Sequence, residues 1–253
     1  IHMCGIVGAI SNRNVDTILM EGLRRLEYRG YDSAGIAVIE KKQINRIRRA
    51  GKVRKLQDAL DQNALLGKTG ISHTRWATHG IPSENNAHPH LSDPDFALVH
   101  NGIIENYNDI KNNLIDRGYK FTSDTDTEAV VHLIHSHFDI QKDLLMAVKA
   151  TIQELEGAYA LAVISTHEPE KIVVARSGCP VVIGIGENEN FIASDVAALL
   201  METNDFMFLE EGDVAVVEQE NITVIDAEDN EVKRKVTKSR LSSDAAEKGQ
   251  FEH

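Results

Sequence analysis

The order of elements predicts a layered fold of helices and largely antiparallel sheets, not an alternating parallel one. Three observations carry this. Short β-type runs occupy both ends of the chain, and three helical stretches sit together in the middle, at 105–117, 126–138 and 143–155. No repeat of fixed period links strand to helix to strand. At 253 residues there is length for one large domain or two small ones, with a substantial core.

Taken in order, Ile1-His2-Met3 reads as the remnant of an expression tag, so that loss of Met3 in the cell would leave Cys4 first. Cys4-Gly5-Ile6-Val7-Gly8-Ala9-Ile10 reads as a buried strand whose glycines admit another backbone closely. Residues 15–26 carry Ile18, Leu19, Leu23 and Leu26 at helical spacing, with Ser11 or Asn14 available as a cap. Residues 35–39 and 43–49 pattern as a hairpin around Lys41-Lys42, residues 53–60 as a short helix and residues 69–76 as a strand. A polar, proline-containing loop is expected from 78 to 95. The strand at 96–100 is expected to stop at Asn101-Gly102, the strongest short turn signal in the chain. After the helices, β runs recur at 159–165, 171–176, 181–184, 191–193, 206–209 and 214–218. From about Lys235 the chain turns polar. The expected organisation is therefore a tag remnant over 1–3, one domain over 4–234 and a linker over 235–253.

The bulk numbers exclude several classes. A net charge of −12, from 27 basic and 39 acidic residues, argues against nucleic-acid binding, which needs a basic face. Hydrophobic content is 42%, and no apolar run approaches membrane-spanning length, so a soluble protein with no membrane partner is expected. Two cysteines, 4 and 179, make no disulfide framework, and without a signal segment a reducing cytoplasm is the expected compartment.

Candidate chemistry starts at Cys4. A thiol is a strong nucleophile, and an adjacent free α-amine of ordinary pKa about 7.7–8.0 can take its proton without a histidine. The plainer alternative is a small core residue on a terminal strand. Arg29-Gly30-Tyr31-Asp32-Ser33-Ala34-Gly35 is either a simple helix-to-strand turn or a loop that brings Arg29 near Cys4. In His73-Thr74-Arg75-Trp76-Ala77-Thr78-His79-Gly80, strand alternation can aim Arg75 into a cleft, where a guanidinium suits a carboxylate; stacking on Trp76 is the alternative. Asn101 and Gly102 offer a side-chain amide and a main-chain N–H that can converge on one oxyanion, although Asn-Gly is more often only a turn. Thr125-x-x-Glu128 fits a capping box, with an aspartate of this stretch as a possible seat for an ammonium group. His132, His135 and His137 are read as a solvated helix face, and Ala87-His88-Pro89-His90 as a polar loop, in preference to metal ligands. Cys179, without a base beside it, is read as structural.

Five blocks taken together resemble one family. They are Cys4-Gly5-Ile6-Val7-Gly8, Glu27-Tyr28-Arg29-Gly30-Tyr31-Asp32-Ser33-Ala34-Gly35, Thr74-Arg75-Trp76-Ala77-Thr78-His79-Gly80, His100-Asn101-Gly102-Ile103-Ile104-Glu105-Asn106 and Asp124-Thr125-Asp126-Thr127-Glu128. The chain is similar to the class II glutamine amidotransferases of the N-terminal-nucleophile hydrolase fold, and the second and third blocks resemble its amino-sugar-forming branch. The resemblance implies an α+β, four-layer αββα sandwich that hydrolyses L-glutamine to glutamate and ammonia. It makes Cys4 the nucleophile, its α-amine the base, and Asn101 with Gly102 the oxyanion hole. Arg75 would bind the α-carboxylate and Asp126 the α-ammonium. Thr78, His79 and Gly80 would line the pocket and its closing loop, supported by Trp76 and Arg29.

No metal or organic cofactor is called for. The implied partner is a C-terminal sugar isomerase domain, absent here, in a full-length protein expected to be a homo-oligomer; 235–253 would begin the linker to it. This chain should therefore release ammonia to water and make no amino sugar. While residues 1–3 remain attached, the Cys4 amine is a peptide N–H and the chain is expected to be a poor glutaminase. Three rivals stand beside this reading. They are a glutaminase domain serving another acceptor, such as an amidophosphoribosyltransferase, a glutamine-binding module without turnover, and a cysteine hydrolase using His73, His79 or His100 as base.

Overall fold

A computed structural model describes residues 4–76 and 80–239. The first half runs β1 (Gly5–Ser11), α1 (Asp16–Leu26), β2 (Ser33–Glu40), β3 (Gln43–Ala50), α2 (Val53–Gln62), β4 (Thr69–Arg75), β5 (His90–Ser92), β6 (Phe96–Ile104) and α3 (Tyr107–Asp116). The second half runs α4 (Asp126–Gln141), α5 (Leu144–Ile152), β7 (Gly157–Ser165), β8 (Ile172–Ser177), β9 (Val182–Ile185) and β10 (Glu189–Ala193). It closes with β11 (Asp205–Phe208), β12 (Val214–Val217), β13 (Ile222–Ile225), β14 (Glu231–Val232) and β15 (Val236–Lys238).

These strands form two sheets, ordered β15-β11-β9-β10-β1-β4-β2-β3 and β14-β13-β12-β8-β7-β6-β5, with antiparallel neighbours throughout. Strand alternation divides the apolar residues among three cores. Val7 and Ala9 of β1 face α1 and α2, where they meet Leu19, Leu23 and Leu56. Phe96 and Leu98 of β6 face the other helices, against Val130, Ile134 and Val148. The alternate set, including Ile6, Ile10, Ile71, Ala97, Val99 and Ala160, fills the space between the sheets. Three cores separate four layers, so the αββα sandwich expected from the resemblance is the observed architecture.

The same alternation places the chemistry. Cys4 continues the inner-face series of Ile6 and Ile10, His73 and Arg75 continue that of Ile71, and Asn101 that of Ala97 and Val99. Gly5 pairs with Thr74, so the ends of β1 and β4 that carry Cys4 and Arg75 coincide.

Several local expectations are corrected. Asn101-Gly102 is not a turn: β6 runs through it, pairing Asn101 with Ala160 and Gly102 with Tyr159. Gly102 has φ +122°, and a Cβ there would lie 2.0 Å from the Ala158 carbonyl oxygen, so glycine serves close sheet packing and not chain reversal. The hairpin at Lys41-Lys42 does form, with φ of 49° and 63°, the left-handed pair that a two-residue turn needs, here without Asn or Gly. Neither Ser11 nor Asn14 caps α1; the Ser11 hydroxyl donates to Glu189 instead. The capping box is also replaced. Glu128 reaches past Thr125 to accept from the N–H groups of Thr122 (2.9 Å) and Ser123 (2.7 Å), while the Thr125 hydroxyl contacts His90. Val236–Lys238, within the stretch expected as linker, pairs with β11 as β15 of the first sheet.

The loop expected to be polar is buried at its end: Ala87, His88 and His90 are all inside. Its carbonyls are held from β3, by Arg48 on Asn85 and Ala87 and by Arg46 on Pro89. Gly35 of β2 makes room, since a Cβ there would stand 2.0 Å from the His88 carbonyl oxygen. Gly35→Ala is expected to cost about 3 kcal/mol, the upper end of overpacking penalties, because the obstructing atom is backbone. The urea midpoint would report it, and an unchanged midpoint would mean that the loop is not clamped by this contact.

Candidate active site

Cys4 stands at the start of β1, half-buried, at the end of the sandwich where the two sheets meet. Its Sγ accepts from the Trp76 N–H (3.1 Å) and faces the Trp76 carbonyl at 3.6 Å. Burial pushes the thiol pKa up, partly opposed by the Trp76 N–H and by the charge of Arg75. A thiol held protonated needs a base before it can attack. Among the described residues no imidazole bonds to Sγ: His73 Nε2 is on Asn101 and His100 Nδ1 is on Thr127.

Asn101 reaches across from the second sheet. Its Nδ2 donates to the main-chain carbonyl of Cys4 (3.0 Å), which leaves a second N–H on the same nitrogen to point into the cleft. Gly102 lines that cleft together with Cys4, Arg75, Trp76, Asp126 and Thr127. One narrow space is therefore lined by the Cys4 thiol, the Gly102 main chain, a guanidinium and a carboxylate, with the Asn101 amide bonded to Cys4 beside it. A larger cavity of about 700 Å³ lies at the opposite end of the sandwich, around Lys41, Lys68 and Glu218, and is lined by no cysteine.

Arg75 is buried at 3% exposure, donates to the Gly80 carbonyl (3.3 Å) and has Asp32 at 3.9 Å. Burial pulls its pKa down while Asp32 and the Cys4 sulfur oppose the shift. Asp126 opens α4, where a carboxylate also answers the helix dipole, and its Oδ2 accepts from the Ile104 N–H (2.9 Å). Opposite charges thus face one another at a spacing set by β4 and α4. Gly80, at φ +76°, sits against Asn86 and Asp124; Asn86 accepts from the Asp124 N–H (2.9 Å) and donates through Nδ2 to the carbonyl of Ile81, next to Gly80 (2.9 Å). Thr78 and His79 lie outside the described residues.

Arg29 does not line the cleft. Its guanidinium bonds to Asp195, whose neighbour Ser194 binds both main-chain groups of Ile6 at 3.1 Å. Arg29 thus supports β1 from behind, and the residue of its loop that reaches the site is Asp32. Trp76 meets Cys4 through its main chain, with its side chain 39% exposed.

Sequence reasoning named His73 and His100 only as candidate bases and missed the wall they form with His88 behind the site. His73 stacks on His88 with ring centroids 4.1 Å apart, and His88 accepts the His100 N–H at Nδ1 (3.2 Å). Thr127 Oγ bridges His88 Nε2 (3.3 Å) and His100 Nδ1 (3.0 Å). The available signal was alternation: His73 stands two residues before Arg75 and shares its face. His132 is likewise buried, with Nδ1 on Ser92 (2.7 Å) and Nε2 on the Lys120 carbonyl (3.1 Å), because α4 is covered on nearly every side. The expected solvated histidine face is therefore corrected. Among the described residues no three His, Cys, Asp or Glu side chains gather as a metal site, and no helix is long and apolar enough to cross a membrane.

A sandwich of two antiparallel sheets between helical layers, with a cysteine at the head of its central strand facing an asparagine amide, defines the class. Residues 73–201 match the glutamine amidotransferase domain family, and the chain belongs to it. It is 56% identical over 251 residues to a glutamine–fructose-6-phosphate aminotransferase (isomerizing) of Shewanella oneidensis, covering 99% of this chain and 41% of that protein. It is 52% identical over 252 residues to the one of Pseudomonas aeruginosa, with the same coverage. The chain thus spans about two fifths of the length of these curated relatives. Among solved structures it resembles the glutamine phosphoribosylpyrophosphate amidotransferase of B. subtilis, with TM-score 0.76 and 25% identity over 90% of this chain and 50% of that one.

Proposed function

We propose that this chain hydrolyses L-glutamine to L-glutamate and ammonia through a thioester on Cys4. We further propose that in a longer protein the ammonia converts fructose 6-phosphate to glucosamine 6-phosphate in a C-terminal sugar isomerase domain. The observation that carries the reading is the single cleft shared by Cys4, Gly102, Arg75 and Asp126, with Asn101 bonded to the Cys4 main chain. Free glutamine carries one negative and one positive group on its α-carbon, and Arg75 with Asp126 supplies one of each opposite sign.

In the proposed reaction the Cys4 thiol gives its proton to its own α-amine as Sγ adds to the carboxamide carbon. The oxyanion is held by the Asn101 amide and the Gly102 N–H. The amine then returns the proton to the leaving nitrogen, ammonia departs and a γ-glutamyl thioester remains. Water activated by the same amine hydrolyses it to glutamate and the free thiol. An amine of ordinary pKa about 7.7–8.0 suits both directions of transfer near neutrality. Gly80, with Thr78 and His79, closes over the substrate, and Arg29 and Trp76 support the pocket. The protein would work in the cytoplasm, as a homo-oligomer when full-length.

Glutamate release by two preparations tests this: the chain with residues 1–3 attached and one beginning at Cys4. Only the second is expected to turn over. Equal rates would remove the amine from the mechanism, and no release from the second would overturn the reading.

A further inference from the structure

We propose that His73 is a positioning residue, which holds the Asn101 side-chain amide in the one of its two orientations that turns Nδ2 toward Cys4. The inference rests on the glutaminase reading above and deepens it.

An asparagine amide is nearly symmetric in shape, and a half-turn exchanges its oxygen for its NH₂ group. In an oxyanion hole that exchange is decisive. One orientation offers N–H to the developing negative charge; the other presents lone pairs and repels it. Asn101 is bonded on both sides. Nδ2 donates to the Cys4 carbonyl at 3.0 Å, and Oδ1 lies 2.9 Å from His73 Nε2. A carbonyl oxygen only accepts, so the first contact requires the NH₂ on the Cys4 side. The second contact then requires His73 to carry its proton on Nε2.

His73 is built to hold that proton in one place. It is 1% exposed, and its ring lies against His88 at a centroid distance of 4.1 Å and an interplanar angle of 14°, which fixes the ring plane. Burial brings its pKa down to about 3, so the ring is neutral and carries a single proton across the working range. If that proton moved to Nδ1, the bare Nε2 would accept from the Asn101 NH₂ and favour the flipped amide. The position of one proton on a buried ring thus selects the catalytic orientation of a residue on the other sheet.

The experiment uses the chain beginning at Cys4. His73→Phe keeps the ring and removes the donor, and is expected to lower kcat for glutamine about 10–100-fold, approaching the loss of an oxyanion donor. KM for glutamine should move less than about threefold, and alkylation of Cys4 by iodoacetamide, which forms no oxyanion, less than about twofold. His73→Gln restores an N–H donor and is expected to recover most of kcat. In an Asn101→Ala background, His73→Phe should cost nothing more. Equal losses in the Phe and Gln variants, or additive losses in the double variant, would overturn the proposal. If the variants do not fold, the ¹⁵N signals of His73 in the unsubstituted chain decide. A neutral ring protonated on Nε2 supports the proposal, and one protonated on Nδ1 overturns it. Absence of turnover in the unsubstituted chain would instead be a failure of the glutaminase reading itself.

Discussion

Replacing Cys4 with alanine in a chain that begins at that residue is expected to abolish glutamine hydrolysis, by about 10⁴-fold or more, as loss of a nucleophile does elsewhere. Glutamine affinity should stay within about threefold, because the two groups proposed to grip the substrate's α-carbon, Arg75 and Asp126, come from β4 and α4 and do not depend on the thiol. Titration calorimetry alongside a glutamate assay reads both quantities at once. Binding lost together with turnover would mean that Cys4 organises the pocket as well as reacting in it. Residual hydrolysis above about one hundredth would sink the thioester route and mean that a group other than Cys4 attacks the carboxamide. Serine at this position is a sharper probe. It leaves the amine a proton to take but replaces the strongly nucleophilic sulfur with a weaker oxygen nucleophile, so it should be far slower than cysteine.

The second large effect is on stability. The fold is expected to lose stability steeply as pH falls below 6.5, well before carboxylates titrate. Burial holds His73 down to about pKa 3 and His88 and His90 well below their ordinary value. In the unfolded chain each would titrate near 6.5. Below that pH the unfolded state binds protons that the folded state refuses, so the equilibrium moves toward unfolding as pH falls. For each histidine the loss is absent above 6.5 and continues down to its folded pKa. It amounts to about 1.4 kcal/mol per pH unit per histidine, or roughly 4 kcal/mol per unit for the three together. Urea unfolding at pH 7, 6 and 5 would measure the slope. A flat profile between 7 and 5 would show that the rings take up protons within the fold, and that burial does not hold them neutral.

Much of the site was legible because its residues sit in short blocks with distinctive chemistry. Cys4, Arg75, Gly102 and Asp126 line one cleft, and Asn101 meets Cys4 there, as the motif reading required. The errors share a cause. Asn101-Gly102 has the composition of a turn, yet β7 pairs along its whole length and keeps it in a strand. The 87–90 loop has the polarity of a surface segment, yet Arg46 and Arg48 satisfy its carbonyls and Gly35 admits it to the interior. His132 shows the polarity of an exposed helix face, but Ser92 and the Lys120 carbonyl satisfy both its nitrogens inside. In each case a long-range partner overrode a local preference.

The sequence by itself determined the layered class, most of the elements and the family, and it singled out the thiol and the charged residues that the proposed reaction uses. These depend on periodicity and on side-chain chemistry, both of which are local. Only the tertiary structure decided what surrounds them: that Asp32 and not Arg29 approaches Arg75, that Trp76 meets the sulfur through its main chain, and that His73 is a partner of Asn101 and not a base for Cys4. Those assignments turn on which side chains from β1, β4 and β6 share the space between two sheets. Hydrogen-bond partners more than twenty residues apart are chosen by packing, which no local pattern records.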